Sequence, residues 1–310
     1  MPQLTADLLL LLVTLAWGTT FVIVKDAISG MGPLTFIAVR FFIAGMVLLA
    51  WYFLWERRRG SWDGAVSRRS SETQGSLPSV SREFLVGALI TGAALFFSYA
   101  TQTLGLVTVA AGKAAFITGL YVVIVPVASR AILHSSPDRA SIIGVALATV
   151  GLGLISLKLP LEIAPGDFLV FLCAIGFSAH ILLLGRYSGR GSTVLLAAIQ
   201  ILVVSVGAFI YALIAERPLV VPSGAWVAIL FTAIVATSFA FLAQTAVQRY
   251  TSATHTALIF SMEPVFGALF AWLMAGEMLS PREIGGAVCI LGGMLVSESS
   301  VFRRSAKQQG

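Results

Sequence analysis

One acidic side chain stands out as a group that can do chemistry. Glu263 immediately precedes Pro264 inside a long apolar stretch, where a carboxyl group is costly to leave unpaired. Such a group can carry a proton or bind a substrate ammonium group. It can also simply hydrogen-bond within the protein beside the bend that a proline introduces. The sequence leaves these roles open.

Other polar residues recur at helical spacing beside aromatic rings. Trp17, Thr20 and Phe21 are spaced i, i+3 and i+4, which places them on one helix face. Such a face suits a ligand with an apolar body and a polar end. Alternatively, the rings pack against lipid or other helices while the hydroxyls bond the preceding turn. The same spacing recurs in four further pairs: Tyr99 with Gln102, Thr118 with Tyr121, Phe177 with His180, and Phe241 with Gln244.

Motifs for enzymatic chemistry are missing from the sequence. It has no phosphate-binding loop, which argues against ATP hydrolysis by this chain. His134, His180 and His255 are scattered, and Cys173 and Cys289 both lie in apolar segments. Neither a metal site nor a disulfide follows from that arrangement. We therefore expect a protein that is not an enzyme and has no metal or cofactor.

The composition indicates an integral membrane protein. Of the 310 residues, 58% are hydrophobic and 11% are charged, whereas soluble proteins carry roughly a quarter charged residues. This excludes an ordinary soluble enzyme, a disordered chain and a secreted disulfide scaffold. The net charge of +6 is better explained by membrane topology than by binding to nucleic acid.

The apolar runs predict an all-α fold with ten transmembrane helices. A helix needs about 20 apolar residues to cross a bilayer. Helices are favoured because strands of a membrane barrel are shorter and alternate apolar with polar residues. In chain order, predicted helices 1 to 10 cover residues 8–24, 34–55, 84–104, 112–132, 140–157, 166–185, 192–214, 224–247, 254–275 and 282–300.

The distribution of Lys and Arg predicts the orientation. With the N-terminus inside, 14 of these residues fall in cytoplasmic segments and 5 in outer segments. The positive-inside rule then places both termini in the cytoplasm. The Ser- and Arg-rich loop at 56–83 is interpreted as a solvated cytoplasmic linker, with a regulatory or partner-binding role as the alternative.

The chain also resembles itself at an offset of about 143 residues. Gly144 and Gly151 in predicted helix 5 fall close to opposite Gly286 and Gly293 in predicted helix 10. Five helices per copy is an odd number, so the second copy must enter the membrane from the opposite side. Inverted repeats of this kind are typical of secondary transporters. The predicted repeats are residues 1–158 and residues 159–310.

Several motifs resemble those of one transporter family. The stretch AGKAAFITGLYVV at 111–123 is similar to the fourth-helix signature of EamA-type exporters of the drug/metabolite transporter superfamily. The segments RYTSA at 249–253 and SMEPVF at 261–266 also resemble that family, as does the Ala16-Trp17-Gly18 turn. The match covers nearly the whole chain, and relatives include exporters of aromatic and other neutral amino acids, such as the YddG type. Glu263-Pro264 has no counterpart in the first half, where Leu120-Tyr121 stands.

The resemblance implies two inverted five-helix repeats around a central cavity, lined mainly by helices 1, 3, 4, 6, 8 and 9. The mixed faces described above lie on these helices. Glu263 is a candidate proton or ammonium partner, and Pro126 and Pro264 are candidate gating or kink positions, with static bends as the alternative. The residues that we predict to bind substrate are Trp17, Thr20, Phe21, Tyr99, Gln102, Thr118, Tyr121, Phe177, His180 and Gln244.

Two basic residues remain open to more than one interpretation. Arg40, within predicted helix 2, either pairs inside the protein or reaches a water-filled crevice. Lys113, at the start of predicted helix 4, either extends to the membrane interface or steers carboxylate groups toward a cavity.

The sequence as a whole predicts a secondary transporter. We expect it to export small amphipathic metabolites, foremost neutral or aromatic amino acids, across the bacterial inner membrane by alternating access. The alternatives are export of nucleosides, sugar derivatives or toxic cationic drugs, an intramembrane enzyme or lipid-binding scaffold, and a passive channel. The expected partners are a small-molecule substrate and the lipid bilayer, with no nucleic acid, no ATPase subunit and a monomeric state.

Overall fold

A computed structural model describes residues 3–56, 81–132, 138–157, 165–275 and 280–308, which contain helices and no strands. The predicted linker at 56–83 falls almost entirely outside these ranges, as does His134. The α-helices in chain order are α1 Gln3–Gly18, α2 Thr20–Ser29, α3 Pro33–Trp51, α4 Arg82–Leu106, α5 Ala111–Gly119, α6 Tyr121–Ile132, α7 Arg139–Ser156, α8 Asp167–Tyr187, α9 Thr193–Ala215, α10 Trp226–Ala233, α11 Ala240–Val247, α12 Ala253–Phe260, α13 Glu263–Ala275 and α14 Pro281–Gln308. Two π-helical segments cover Tyr52–Glu56 and Ile234–Phe239, and a 3₁₀ turn covers Ser223–Ala225.

Seven helical segments of the described chain are long and apolar enough to cross a membrane, which makes this a multi-pass membrane protein. A shorter apolar helix covers Arg139–Ile155. The ends of most predicted helices agree with the observed ones to within a few residues. The exceptions are the first segment, predicted at 8–24 and observed at Gln3–Ser29, and the last helix, predicted at 282–300 and observed at Pro281–Gln308. The number of ten crossings stays a prediction. The seven segments are Gln3–Ser29, Pro33–Trp55, Arg82–Leu106, Ala111–Arg130, Asp167–Tyr187, Thr193–Ala215 and Ser223–Val247.

The surface and interior have the polarity expected in lipid. Large apolar side chains point outward, including Val227 at 80% and Ile214 at 79% exposure. Polar side chains such as Gln200, Thr237 and Thr245 are fully buried. This distribution suits a chain whose outer face meets hydrocarbon and whose polar groups find partners inside.

Some helical segments are interrupted where the sequence predicted continuous helices. The break between α12 and α13 falls at residues 261–262, and Pro264, the second residue of α13, has no N–H to donate to the preceding turn. Pro126 instead lies inside α6, and the break in that segment falls earlier, at Leu120. A further break at Thr19 separates α1 from α2, with no proline beside it.

Glycines bring α7 and α14 into backbone contact. A Cβ added at Gly144 would lie 2.6 Å from the carbonyl oxygen of Gly293, and one at Gly151 would lie 2.5 Å from that of Gly286. In the other direction, a Cβ added at Gly293 would lie 2.5 Å from the carbonyl oxygen of Gly144, and one at Gly286 would lie 2.7 Å from that of Gly151. Small residues commonly allow such close approach between membrane helices. The two helices therefore form an antiparallel pair held by two reciprocal contacts.

The helix that carries Arg40 is anchored by α9. Glu216, directly after α9, accepts hydrogen bonds from the N–H groups of Leu34 and Thr35 at 2.9 and 2.8 Å. These N–H groups belong to the first turn of α3, where backbone N–H groups have no acceptor within the helix. Farther along, the Ser205 hydroxyl donates to the Ala38 carbonyl at 2.9 Å. Both contacts fix the position of α3 before it reaches the cavity.

We expect Gly151→Ala to lower the free energy of unfolding by about 1–3 kcal/mol, because the added methyl group meets a backbone carbonyl that cannot rotate away. Thermal unfolding of the detergent-solubilised protein, followed by circular dichroism, measures the change. Gly292→Ala is the matched control, since a Cβ there meets nothing within 4 Å. Equal stability of the two variants would contradict the close-packing interpretation.

Candidate functional site

A cavity lies where the interrupted helices meet. All ten residues predicted to bind substrate line the cavity, together with Glu263, whereas Pro126 and Pro264 do not. The remaining lining residues are Val24, Arg40, Thr103, Leu106, Ile181, Phe241 and Phe260.

Aromatic rings form much of the cavity wall. The ring centroid of Trp17 lies 4.9 Å from that of Phe260 and 5.4 Å from that of Phe241. Tyr99 lies 5.3 Å from Phe177 and 6.0 Å from Phe241, in both cases edge to face. These are favourable distances for aromatic pairs, so the rings support one another. The resulting wall is apolar and suits a flat or apolar ligand body.

Hydrogen bonds hold the polar lining residues in place. His180 Nε2 donates to Gln200 Oε1 at 2.9 Å, and Gln200 Nε2 donates to the Thr245 hydroxyl at 3.0 Å. On the other side, Gln102 Nε2 donates to the Thr118 hydroxyl at 3.2 Å. Buried polar groups linked in this way are fixed in orientation. They present defined donors and acceptors to whatever occupies the cavity.

Gln244 is only partly satisfied. Its Nε2 donates to Gln248 Oε1 at 2.9 Å, and Gln248 Nε2 in turn donates to the Ile181 carbonyl at 3.0 Å. The carbonyl oxygen of Gln244 is buried and accepts no hydrogen bond from the described residues. Because buried polar atoms are nearly always paired, this oxygen is a candidate acceptor for a ligand N–H group.

The π-helical segment Ile234–Phe239 orients two cavity residues. The Ala236 carbonyl accepts a hydrogen bond from Trp17 Nε1 at 2.8 Å. Arg40 Nε donates to the Thr237 hydroxyl at 2.8 Å, and its Nη2 reaches the same Ala236 carbonyl at 3.5 Å. A π-turn loosens the regular backbone ladder and is common at functional sites.

Arg40 and Glu263 bring charge to the cavity. Arg40 is 3% exposed, and its guanidinium carbon lies 5.3 Å from the Phe41 ring centre and 5.5 Å from that of Tyr99. Arg40 therefore reaches the cavity, which adds predicted helix 2 to the helices that the resemblance implies. The Glu263 carboxyl group also lines the cavity and makes no hydrogen bond to any described residue. The structure thus does not show the hydrogen-bonded role considered for Glu263.

Two ion pairs flank the cavity. Lys113 Nζ lies 2.6 Å from Asp167 Oδ2, joining α5 to α8. His255 Nε2 lies 2.9 Å from Asp7 Oδ1, joining α12 to α1 in a contact that is an ion pair when the imidazole is protonated. The Lys113 pairing differs from both roles considered for this residue, because a carboxylate from a neighbouring helix lies within reach of its ammonium group.

These two pairs lie at opposite ends of the molecule. Lys25, near the end of the α1–α2 segment, donates to the carbonyls of Leu106 and Val109 at 2.9 and 2.5 Å. Those carbonyls belong to the end of α4 and the turn that leads to Lys113. The far end of α1–α2 is therefore level with Lys113, whereas Asp7 lies at its near end.

Sequence reasoning missed some features of the site. Phe260 lies one turn before Glu263, so helical spacing from that residue would have identified it. Val24, Leu106 and Ile181 carry no signal that separates them from other apolar residues. Neither ion pair was predicted, because their partners are far apart in sequence, by 54 and 248 residues.

A cavity lined by polar and aromatic side chains and reached by several interrupted helices is the arrangement in which many membrane transporters hold their substrates. The profile of the EamA-like transporter family matches residues 4–157 and 164–298. The chain belongs to this family, and it is therefore a multi-pass membrane transporter of small molecules.

Individual relatives agree with that assignment. A protein of Archaeoglobus fulgidus named "Uncharacterized transporter" is 32% identical over 95% of this chain and 86% of its own length. "Uncharacterized transporter YyaM" of Bacillus subtilis is 23% identical over 98% of this chain and 96% of its own. A solved structure described as "Crystal structure of protein" has a TM-score of 0.77 at 17% identity, covering 95% of this chain and 98% of its own. That last similarity supports the fold alone.

We expect a cysteine at Thr20 to react at least about tenfold faster than one at Thr91 with a small water-soluble thiol reagent, because only Thr20 lines the cavity. The substitutions Thr20→Cys and Thr91→Cys are made in a background carrying Cys173→Ala and Cys289→Ala, and labelling is followed by mass spectrometry. Thr91 is fully buried against neighbouring helices, which makes it the matched control. Equal rates would show that the cavity is closed to water.

Proposed function

We propose that the protein is a secondary transporter that exports small amphipathic metabolites, foremost neutral or aromatic amino acids. The observation that carries this proposal is the cavity wall, where the rings of Trp17, Tyr99, Phe177 and Phe241 surround amide, hydroxyl and carboxyl groups. Such a mixture suits a ligand with an apolar body and a polar end. The similarity to exporters of the YddG type points to the same class of cargo.

Ten crossings in two inverted repeats, 1–158 and 159–310, are part of the proposal. The same family profile matches two successive stretches of the chain, as expected if each stretch is one copy. The glycine contacts support the same relation. In the two repeats Gly144 corresponds to Gly286, and Gly151 corresponds to Gly293. Exchanging the repeats therefore turns the contact between Gly144 and Gly293 into the contact between Gly286 and Gly151, which is also present. On this topology both termini are cytoplasmic, in a bacterial inner membrane.

The two ion pairs fit an alternating-access mechanism. Lys113 and His255 are each the third residue of their helix, α5 and α12, which correspond in the two repeats. Each pairs with an aspartate near the start of α8 or α1, the corresponding helices of the opposite repeat. One pair would close the outer end and the other the cytoplasmic end. Substrate then shifts the balance between the two open states only through its difference in affinity for them.

Other cargo defines the alternative within the same class. Export of nucleosides, sugar derivatives or cationic drugs uses the same fold and a similar cavity. Arg40 favours amino acids over cationic drugs, because a buried guanidinium in the wall repels a cation. Transport by a monomer with no ATPase subunit, driven by the substrate gradient or by protons, completes the proposal.

Reconstitution into liposomes tests the function. We expect saturable uptake of radiolabelled L-phenylalanine that other aromatic amino acids inhibit and that shows counterflow, measured with and without a pH gradient. Inhibition by nucleosides or organic cations, with none by amino acids, would favour the alternative cargo. Flux that neither saturates nor shows counterflow would indicate a passive channel.

We expect Glu263→Gln to abolish this uptake without reducing the amount of folded protein, because the substitution removes the cavity carboxylate but preserves its size. Uptake is normalised to the monodisperse protein recovered by size-exclusion chromatography. Glu83→Gln is the control, since Glu83 is exposed and pairs with Arg190 outside the cavity. Full uptake by the Glu263 variant would remove this residue from the mechanism.

Breaking one ion pair should open the end that it closes. We expect Asp7→Asn to increase labelling of a cysteine at position 20 from the cytoplasmic side, and Lys113→Met to increase it from the outer side, each about two- to tenfold. Side-specific thiol labelling of oriented membrane vesicles measures both effects. The exchanged pair Lys113→Asp with Asp167→Lys should restore the original labelling. Equal changes from both sides in either variant would contradict the assignment.

A further inference from the structure

Two oppositely charged side chains line the cavity without pairing with each other. Arg40 enters from α3 and Glu263 from the start of α13. The ion pairs between described residues join other side chains, so neither group has an opposite charge as its partner. Leaving a buried charge unpaired is costly, which indicates that something else satisfies these groups during the transport cycle.

The position of Arg40 suits it to bind an anion. Its Nε and Nη2 contact Thr237 and the Ala236 carbonyl, and these bonds fix the plane of the guanidinium group. A fixed guanidinium presents its N–H groups in the geometry that a carboxylate accepts, which a flexible ammonium group does not.

The groups around Glu263 suit a cation. Its carboxyl group lines the cavity, and the buried carbonyl oxygen of Gln244 lacks a donor. Both groups are acceptors, whereas an ammonium group offers three donors and no acceptor. A ligand ammonium can therefore satisfy the carboxylate and the amide oxygen together.

The two charged groups face the same small space. The guanidinium carbon of Arg40 lies 5.5 Å from the Tyr99 ring centre, and Tyr99 and Glu263 line the same cavity. The aromatic rings of Trp17 and Phe177 line the same cavity. A ligand that contacts both charged groups therefore also contacts the aromatic wall.

We infer that Arg40 binds the carboxylate, and Glu263 with Gln244 the ammonium group, of a zwitterionic amino acid whose apolar side chain lies against the aromatic rings. This assignment rests on the proposed function and specifies which charges the substrate must carry. An amine that lacks the carboxylate leaves Arg40 unpaired, and an acid that lacks the ammonium group leaves Glu263 and Gln244 unpaired. The cavity thus selects the zwitterion over either singly charged analogue.

Three ligands with the same ring test the inference on the purified wild-type protein. L-Phenylalanine carries both charges, phenethylamine only the positive one, and 3-phenylpropionate only the negative one. We expect L-phenylalanine to bind at least about tenfold more tightly than either analogue, as measured by isothermal titration calorimetry in detergent. Equal or weaker binding of the zwitterion would overturn the inference.

Variants assign each charge to its residue. Arg40→Gln should weaken binding of L-phenylalanine about 10- to 100-fold and leave phenethylamine unchanged or tighter, because the repulsion is gone. Glu263→Gln should weaken L-phenylalanine likewise but spare 3-phenylpropionate. Arg130→Gln, at an exposed arginine outside the cavity, is the matched control. A uniform loss for all three ligands, or unchanged binding of L-phenylalanine, would overturn the assignment.

Two measures separate the possible failures. If Arg40→Gln does not fold, Arg40→Lys keeps the positive charge but loses the planar guanidinium group. L-Phenylalaninamide, which lacks the carboxylate, tests the same contact in the wild type. We expect the Arg40→Lys variant to bind L-phenylalanine more weakly than the wild type does, and the wild type to bind L-phenylalaninamide more weakly than L-phenylalanine. Tighter binding of phenethylamine than of L-phenylalanine would overturn the inference and would support the alternative in which the transporter exports organic cations. Saturable uptake of nucleosides with no binding of any aromatic ligand would overturn the proposed function itself.

Discussion

The cost of an unpaired polar group in hydrocarbon is the constraint on which the rest of this structure depends. A polar group inside a bilayer must find a partner in the protein or face water. Gln200 and Thr245 meet that requirement within the helix bundle, Arg40 meets it in part, and Glu263 has no hydrogen-bond partner among the described residues. Arg40, Glu263 and the unpaired carbonyl oxygen of Gln244 all lie at one cavity, so the same rule that stabilises the bundle also points to the site.

The helices divide into a group that lines the cavity and a group that supports it. No described residue of α7, α9, α10 or α14 lines the cavity. α7 and α14 instead contact each other through glycines, and α9 anchors α3 through Glu216 and Ser205. Interruptions fall in the lining group, at Thr19, Leu120 and before Pro264. α7, α9 and α14 have no such interruption, so helix breaks and cavity-lining residues coincide in the same segments.

Local patterns explain which parts of this molecule could be predicted. Membrane segments follow from runs of apolar residues, and the lining pairs such as Tyr99 with Gln102 follow from spacing along one helix. The family resemblance then indicates which helices line the cavity. Arg40 reaching the cavity and the pairing of Asp7 with His255 depend on how separate helices rotate and approach one another. One sequence without tertiary contacts contains no direct record of that rotation.

The widened turn at Ile234–Phe239 has a consequence for everything that follows it in the same segment. The segment is π-helical, with backbone hydrogen bonds that reach one residue farther back than in an α-helix, so the chain holds a surplus residue there. One residue corresponds to about 100° of azimuth. Without that surplus, Phe241 and Gln244 would turn toward a different neighbour. A one-residue phase shift in the backbone therefore decides which side chains of this segment meet the cargo, independently of which side chains they are.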